Sequence, residues 1–162
     1  MGAAEEFLSV LYLKRAPIVS KSVGRIIRRS SEIGFGTGFL VAPGVLITNH
    51  HVLSTKLAAE RAAVQFDYEI NYRHREMRSE SFELRPDLLF YANKPLDFAL
   101  IAVEPLSRET RRPLASYSYL PLDGGEGKIT IGKPVIIIQH PNAERKQAVF
   151  REAELQDLPA NE

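Results

Sequence analysis

From Gly34 to roughly Glu104 the chain is one strand-like run after another. GFGTGFLVA, VLIT, AAVQFDYEI, SFELRPDLLFYA and DFALIAVE are rich in β-branched and aromatic residues, often alternating. Pro-Gly, Asn-Tyr-Arg-His and Asn-Lys-Pro punctuate them. Several short strands at this spacing point to an all-β antiparallel barrel or sandwich. After Arg111-Arg112-Pro113 comes a turn-rich connector, ASYSYLPLDGGEGK, and strand character returns in KPVIIIQHP and KQAVFREAEL. Helix is expected only at the start, where Phe7, Leu8 and Leu11 are helically spaced over residues 4–14 and Pro17 acts as the terminator, and as a turn or two within Ser54 to Arg61.

A length of 162 residues allows one good core, or two small ones sharing an interface. A net charge of +1 gives no global field toward nucleic acid or membrane, so no specific nucleic-acid partner and no membrane are expected. No run approaches the ~20 apolar residues of a membrane-spanning helix. The absence of cysteine excludes a disulfide scaffold and a thiolate metal site. With no basic leader visible at the N-terminus, the expected compartment is cytoplasmic. Lys14, Arg15, Lys21, Arg25, Arg28 and Arg29 form a basic stretch that reads either as a solvated face or as a surface for an anionic partner. Arg73 to Arg78, with His74 among them, reads as a solvated loop.

The sharpest local feature is GTGFLVAPGVLITNHHVL, residues 36–53, where a buried-type strand runs into Thr48-Asn49 and a pair of histidines. A histidine at a strand end, followed by Val52-Leu53 as an anchor, is fixed on one side and open on the other. That suits a general base, since an imidazole ordinarily titrates near pH ~6.5 and needs a defined ring orientation. Asp97, a lone acid opening an apolar run, is the candidate to accept from the other ring nitrogen. The plain alternatives are a core or turn histidine at His51 and a turn-forming aspartate after Pro95-Leu96. His50 with His51 makes a poor metal site, because adjacent ligands lack a carboxylate cluster, and no metal or cofactor is expected. His140, before Pro141-Asn142, reads as a turn residue or as one lining the approach to the site.

These residues carry a family likeness. GFGTGFLVAPGVLITNHHVL resembles the segment around the catalytic histidine of trypsin/chymotrypsin-like serine proteases, in particular the cysteine-free bacterial branch of glutamyl-endopeptidase-like and heat-shock-type enzymes. There a Gly-(Ser/Thr)-Gly-Phe strand leads through a turn to Leu-(Leu/Ile/Val)-Thr-Asn-x-His-Val. LDFALI resembles the family's aspartate segment, and IGKPVIIIQHPNAERKQAVF the first hairpin of its second barrel. The resemblance implies a chymotrypsin-like fold of two antiparallel β-barrels, here with a short N-terminal helix, the first barrel complete and the second only begun. It makes His51 the base and Asp97 the triad acid, in peptide-bond hydrolysis by Ser-His-Asp acyl transfer on a polypeptide substrate. Gly36 and Gly38 would permit close backbone approach in a tightly curved strand. The implied division is an N-terminal helix and extension (1–21), first barrel (22–112), connector (113–131) and opening strands of a second barrel (132–162).

The departure from the family is the nucleophile. Its usual Gly-(Asn/Asp/Ser)-Ser-Gly-(Gly/Ser)-Pro motif does not occur, and after Asp97 the only serines are Ser107, Ser116 and Ser118, none beside a glycine. Without that motif there is no oxyanion hole either, so the isolated chain is expected to be inactive. Three explanations stay open: a piece of a longer protease, a shortened non-catalytic homologue serving as an interaction module, or a chain completed by another. Half a second barrel would leave unpaired strand edges and invite self-association.

Overall fold

The computed structural model of the chain describes residues 10–125 and 135–149. In chain order the elements are α1 (Val10–Ser22), β1 (Val23–Arg28), β2 (Gly34–Ala42), β3 (Val45–Thr48), α2 (Lys56–Glu60), β4 (Ala62–Phe66), β5 (Glu80–Glu83), β6 (Phe90–Asn93), β7 (Phe98–Ala102), β8 (Ile137–Gln139) and β9 (Gln147–Val149). Short 3₁₀ turns at Leu114–Ser116 and Pro141–Ala143 complete them. None of the described helices is long and apolar enough to cross a membrane.

The sheet order is β5-β4-β1-β2-β3-β7-β6, every pair antiparallel. β5 and β6 are the two halves of the run SFELRPDLLFYA, which Pro86 splits by removing a ladder donor. At that bend Leu84 bridges to Val103, Arg85 N–H donates to the Ala102 carbonyl at 2.7 Å and Glu104 N–H to the Glu83 carbonyl at 2.9 Å. The end of β5 is thereby tied to the end of β7, and the sheet curls into a closed antiparallel barrel. Counted as one bent strand, β5 and β6 reduce the seven ladder segments to six. β8 and β9 pair separately as a two-stranded hairpin.

Inside the barrel Ile26, Leu46, Leu53, Val64, Phe66, Phe82 and Ile101 are fully buried. Phe66 stacks on Tyr117 at 4.5 Å between ring centroids and meets Phe82 edge-on at 5.8 Å. Tyr117 keeps its hydroxyl satisfied by donating to Asp67 Oδ2 at 2.8 Å. Burial, followed by that carboxylate, pushes the phenol well above its ordinary range.

The expectations for β2 and β3 hold residue for residue, and three others change. The helix does not stop before Pro17: α1 runs from Val10 to Ser22 with Pro17 inside it. Proline removes only one i→i−4 bond, and the end of the helix is fastened where it enters β1, by the fully buried Ser22 donating to the Val19 carbonyl at 2.7 Å. The expected residues 4–9 lie outside the described part. The run AAVQFDYEI ends as a strand at Phe66, because Asp67 turns left-handed at φ 58° and gives its carboxylate to Tyr117 and Arg112. Arg25, expected on a solvated face or on a surface for an anionic partner, is only 8% exposed.

Gly36 and Gly38 are close-approach positions, as their placement suggested. A Cβ at Gly36 would stand 2.5 Å from Val52 Cγ1, and one at Gly38 would stand 2.9 Å from the Ile47 carbonyl. Gly36→Ala must therefore displace Val52, the neighbour of His51, and is expected to cost about 1–3 kcal/mol by overpacking. Urea denaturation of the two proteins measures it, and a difference within experimental error would show that Val52 has room to yield.

Glu80 is a buried carboxylate, 3% exposed. It accepts from Ser107 Oγ at 2.7 Å and Thr110 Oγ1 at 2.8 Å. Burial raises its pKa, but the two hydroxyls and the charges of Arg78 and Arg112 outweigh burial and leave it below the ordinary value. A depressed folded pKa means the unfolded chain binds the proton first as pH falls. The stabilisation from Glu80 is thus full above the ordinary carboxylate range and is lost as pH drops through the folded value. Glu80→Gln is expected to flatten that acid limb of the stability–pH curve, as followed by thermal melts between pH 7 and pH 3. An unchanged limb would assign it to other carboxylates.

Candidate active site

The end of β3 and the start of β7 lie side by side, with Thr48 opposite Ala99. That register brings the segment after β3 against the turn before β7. Thr48 Oγ1 donates to the Thr37 carbonyl at 2.7 Å and fastens the strand end to β2. The chain then folds back, with the Val52 and Leu53 amides both donating to the Asn49 carbonyl at 3.1 and 3.2 Å, and Leu53 sinks fully into the core. His51 stands on the outside of this anchored turn. On the other side, Leu96 N–H donates to Asn93 Oδ1 and Asp97 N–H to the Lys94 carbonyl. Asp97 is held at φ 47°, a left-handed conformation that aspartate tolerates better than most residues.

The two predicted residues meet. His51 Nδ1 lies 2.8 Å from Asp97 Oδ2, and the His51 backbone N–H donates to Asp97 Oδ1 at 3.0 Å. The first of these is an ion pair when the ring is protonated. The His51 amide lowers the Asp97 pKa most; partial burial opposes it, and the imidazole and Asn49 add to the lowering. The carboxylate is therefore ionised and can only accept. In a neutral imidazole the proton must then sit on Nδ1, which leaves the Nε2 lone pair open. The His51 side chain is 70% exposed, so a reactant can reach that nitrogen.

Asn49 was not singled out beforehand as part of the site. Its Nδ2 donates both to Asp97 Oδ2 at 3.1 Å and to the Asp97 carbonyl at 3.2 Å. With the His51 amide, it fixes the carboxylate in one rotamer. The available signal was a polar side chain directly after a buried strand and two residues before the histidine, where a stripped strand end needs hydrogen-bond partners.

The serines fall elsewhere. Ser107 is fully buried, donating to Glu80 and accepting from the Arg112 amide at 2.9 Å. Ser116 donates to the Pro113 carbonyl. Among the described residues no serine hydroxyl hydrogen-bonds to His51. Three or more His, Asp or Glu side chains do not gather into a cation site among the described residues. His74 is exposed in its basic loop. His140 does occupy a turn and is only 3% exposed in it.

A family model described as a trypsin-like peptidase domain matches residues 36–161. Uncharacterized protein y4fB of Sinorhizobium fredii is 34% identical over 154 residues, which is 91% of this chain but 23% of that protein. The chain thus spans less than a quarter of the length of that relative. Among solved structures, the Rv3671c protease in its inactive form superposes with a TM-score of 0.51 at 19% identity, over 91% of this chain and 59% of that one. An inactive-form serine-to-alanine mutant of Rv3671c from M. tuberculosis H37Rv gives a TM-score of 0.49 at 18% identity, over the same shares. At 19% identity the likeness to the first of these is one of fold, and with the family match over residues 36–161 the fold is the chymotrypsin-like barrel.

Proposed function

Because the chain belongs to the trypsin-like peptidase family, we propose that it is the N-terminal portion of a serine endopeptidase, with His51 as general base and Asp97 as its orienter. The observation that carries this reading is the 2.8 Å contact between His51 Nδ1 and Asp97 Oδ2, with Nε2 left open to solvent. In the reaction, Nε2 takes the proton of a serine hydroxyl as that oxygen attacks the scissile carbonyl. The imidazolium is stabilised by Asp97 and returns the proton to the leaving amine. Asp97 stays ionised throughout, since three donors hold its charge.

The nucleophile and the oxyanion donors belong to sequence outside these 162 residues on this reading. The division into a helical extension (1–21), a first barrel (22–112), a connector (113–131) and the opening of a second module (132–162) is part of the same proposal. So are a polypeptide substrate and the tendency of an incomplete second barrel to self-associate.

A serine-directed fluorophosphonate probe tests it. A gene product that carries a Gly-x-Ser-Gly segment beyond Glu162 should label, and His51→Ala should abolish the labelling. The 162-residue chain alone should not label. Labelling of the short chain, or labelling of the longer one that survives His51→Ala, would overturn the assignment. The competing reading, a non-catalytic barrel that binds a partner, rests on the buried, occupied Ser107 hydroxyl and the missing nucleophile motif. A stop codon directly after Glu162 would favour it.

A further inference from the structure

A polar row crosses the barrel wall from β4 through β1 to β2. Arg25 of β1 is the register partner of Thr37 in β2 on one side and of Gln65 in β4 on the other. Cross-strand partners share a face, so the three side chains stand together. Arg25 and Gln65 are 8% and 6% exposed, although charged and amide side chains on a barrel's outer face normally meet water. Over Arg25 and Thr37 lies the turn that joins β8 to β9. The His140 N–H donates to Thr37 Oγ1 at 3.0 Å, and Arg25 Nη1 donates to the Ala143 carbonyl at 2.8 Å. The guanidinium is itself set in place: Nε and Nη2 both donate to Gln65 Oε1, at 3.0 and 2.7 Å, and its carbon lies 3.7 Å from the Tyr68 ring centroid. Lys146 adds a backbone bond to the Tyr68 carbonyl at 3.0 Å and an ammonium bond to the Ser20 carbonyl at 2.9 Å.

We propose that the Gln65–Arg25–Thr37 row is a docking site for the 140–146 turn, and that Arg25 and Thr37 are positioning residues that hold the second β-module at a set place relative to His51 and Asp97. The second clause rests on the peptidase reading above; the docking itself does not. Three features show that the seat is specific. Asn142 and Ala143 are both left-handed, at φ 50° and 60°, a pair of conformations that persists only where surrounding contacts hold it. A Cβ at Gly34 would lie 2.8 Å from Ala143 Cβ and 2.7 Å from Arg25 Cδ, so the turn sits hard against β2. His140 Nδ1 donates to the Glu144 carbonyl at 2.9 Å while its buried Nε2 has no partner, which suits only a neutral ring. Thr37 faces both ways, since its hydroxyl holds the turn and its carbonyl accepts from Thr48 at the strand end that leads to His51. A nucleophile carried on the second module must meet His51 Nε2 at hydrogen-bond distance, and a misplacement of about 1 Å costs on the order of 10²-fold in rate.

Two measurements on the 162-residue chain test the docking, with Arg25→Gln and the near-isosteric Thr37→Val. Hydrogen exchange of the His140 and Lys146 amides should rise about tenfold or more in both variants, while β3 and β7 amides keep their protection. In an NMR titration, burial holds the His140 imidazole down to about 4, and undocking should return its midpoint toward the ordinary ~6.5. If Arg25→Gln loosens the whole barrel, Thr37→Val decides. Unchanged exchange and an unchanged His140 midpoint in Thr37→Val overturn the docking site. In the polypeptide that supplies the serine, Thr37→Val should lower kcat about tenfold or more with KM within about twofold. An undocked hairpin with unaltered kcat overturns the positioning role alone. Neither measurement on the short chain needs a nucleophile, so failure of the peptidase reading would be seen separately, in the labelling experiment.

Discussion

Asp97→Asn is expected to lower kcat by about 10⁴-fold in a polypeptide that joins this chain to its serine, the size that loss of the correct imidazole tautomer carries in this mechanism. The amide would keep an oxygen and a nitrogen where Oδ1 and Oδ2 now stand. The oxygen is claimed by the His51 N–H, which needs an acceptor. The NH₂ group then faces His51 Nδ1 at the 2.8 Å position, as a donor where an acceptor is required. His51 answers by moving its proton to Nε2, the nitrogen that must be bare to take the serine proton. Asn49 makes the loss harder to escape, since its own NH₂ also points at the Oδ2 position and two amide donors would collide there. The measurement is kcat on a peptide substrate beside a thermal melt. The melt should move little, because the pair is exposed and such pairs add little to stability. A loss under tenfold would remove Asp97 from the orienting role.

Phe66→Ala is expected to be the most damaging change to the fold, at about 3–5 kcal/mol. Phe66 is fully buried at the end of β4, stacked on Tyr117 and edge-on to Phe82. Its ring also fills the space left by Gly24, where a Cβ would stand 3.0 Å from Phe66 Cε1. Collapse into the cavity is restricted, since Tyr117 is tethered by its hydroxyl to Asp67 and Phe82 lies in the adjoining strand. The apparent melting temperature should fall by roughly 10 °C, while Phe66→Leu, which retains most of the volume, should lose far less. A cost below about 1 kcal/mol for Phe66→Ala would mean that the Phe66–Phe82–Tyr117 cluster is not the centre of the core.

Local pattern was enough wherever one short-range force dominates. β2 and β3 coincide with GFGTGFLVA and VLIT because alternating and β-branched residues set strand extent and Pro43-Gly44 sets the turn, with Gly44 at φ 75°. That His51 and Asp97 would meet could be expected, because one follows a buried strand and the other opens an apolar run, where a polar group must find a partner. Long-range partners decided the rest. Asp67, a carboxylate that ends β4, takes its conformation from Tyr117 and Arg112, and both lie about fifty residues further on, at separations of 50 and 45 positions. Pro17 stays helical because the far end of α1 is buried beside β1, which outweighs the bond proline removes. The basic stretch could not reveal that Arg25 is buried, because the cover comes from Ala143, at a separation of 118 positions. Burial of a charge is a property of what closes over it, and only the folded chain brings that cover into place.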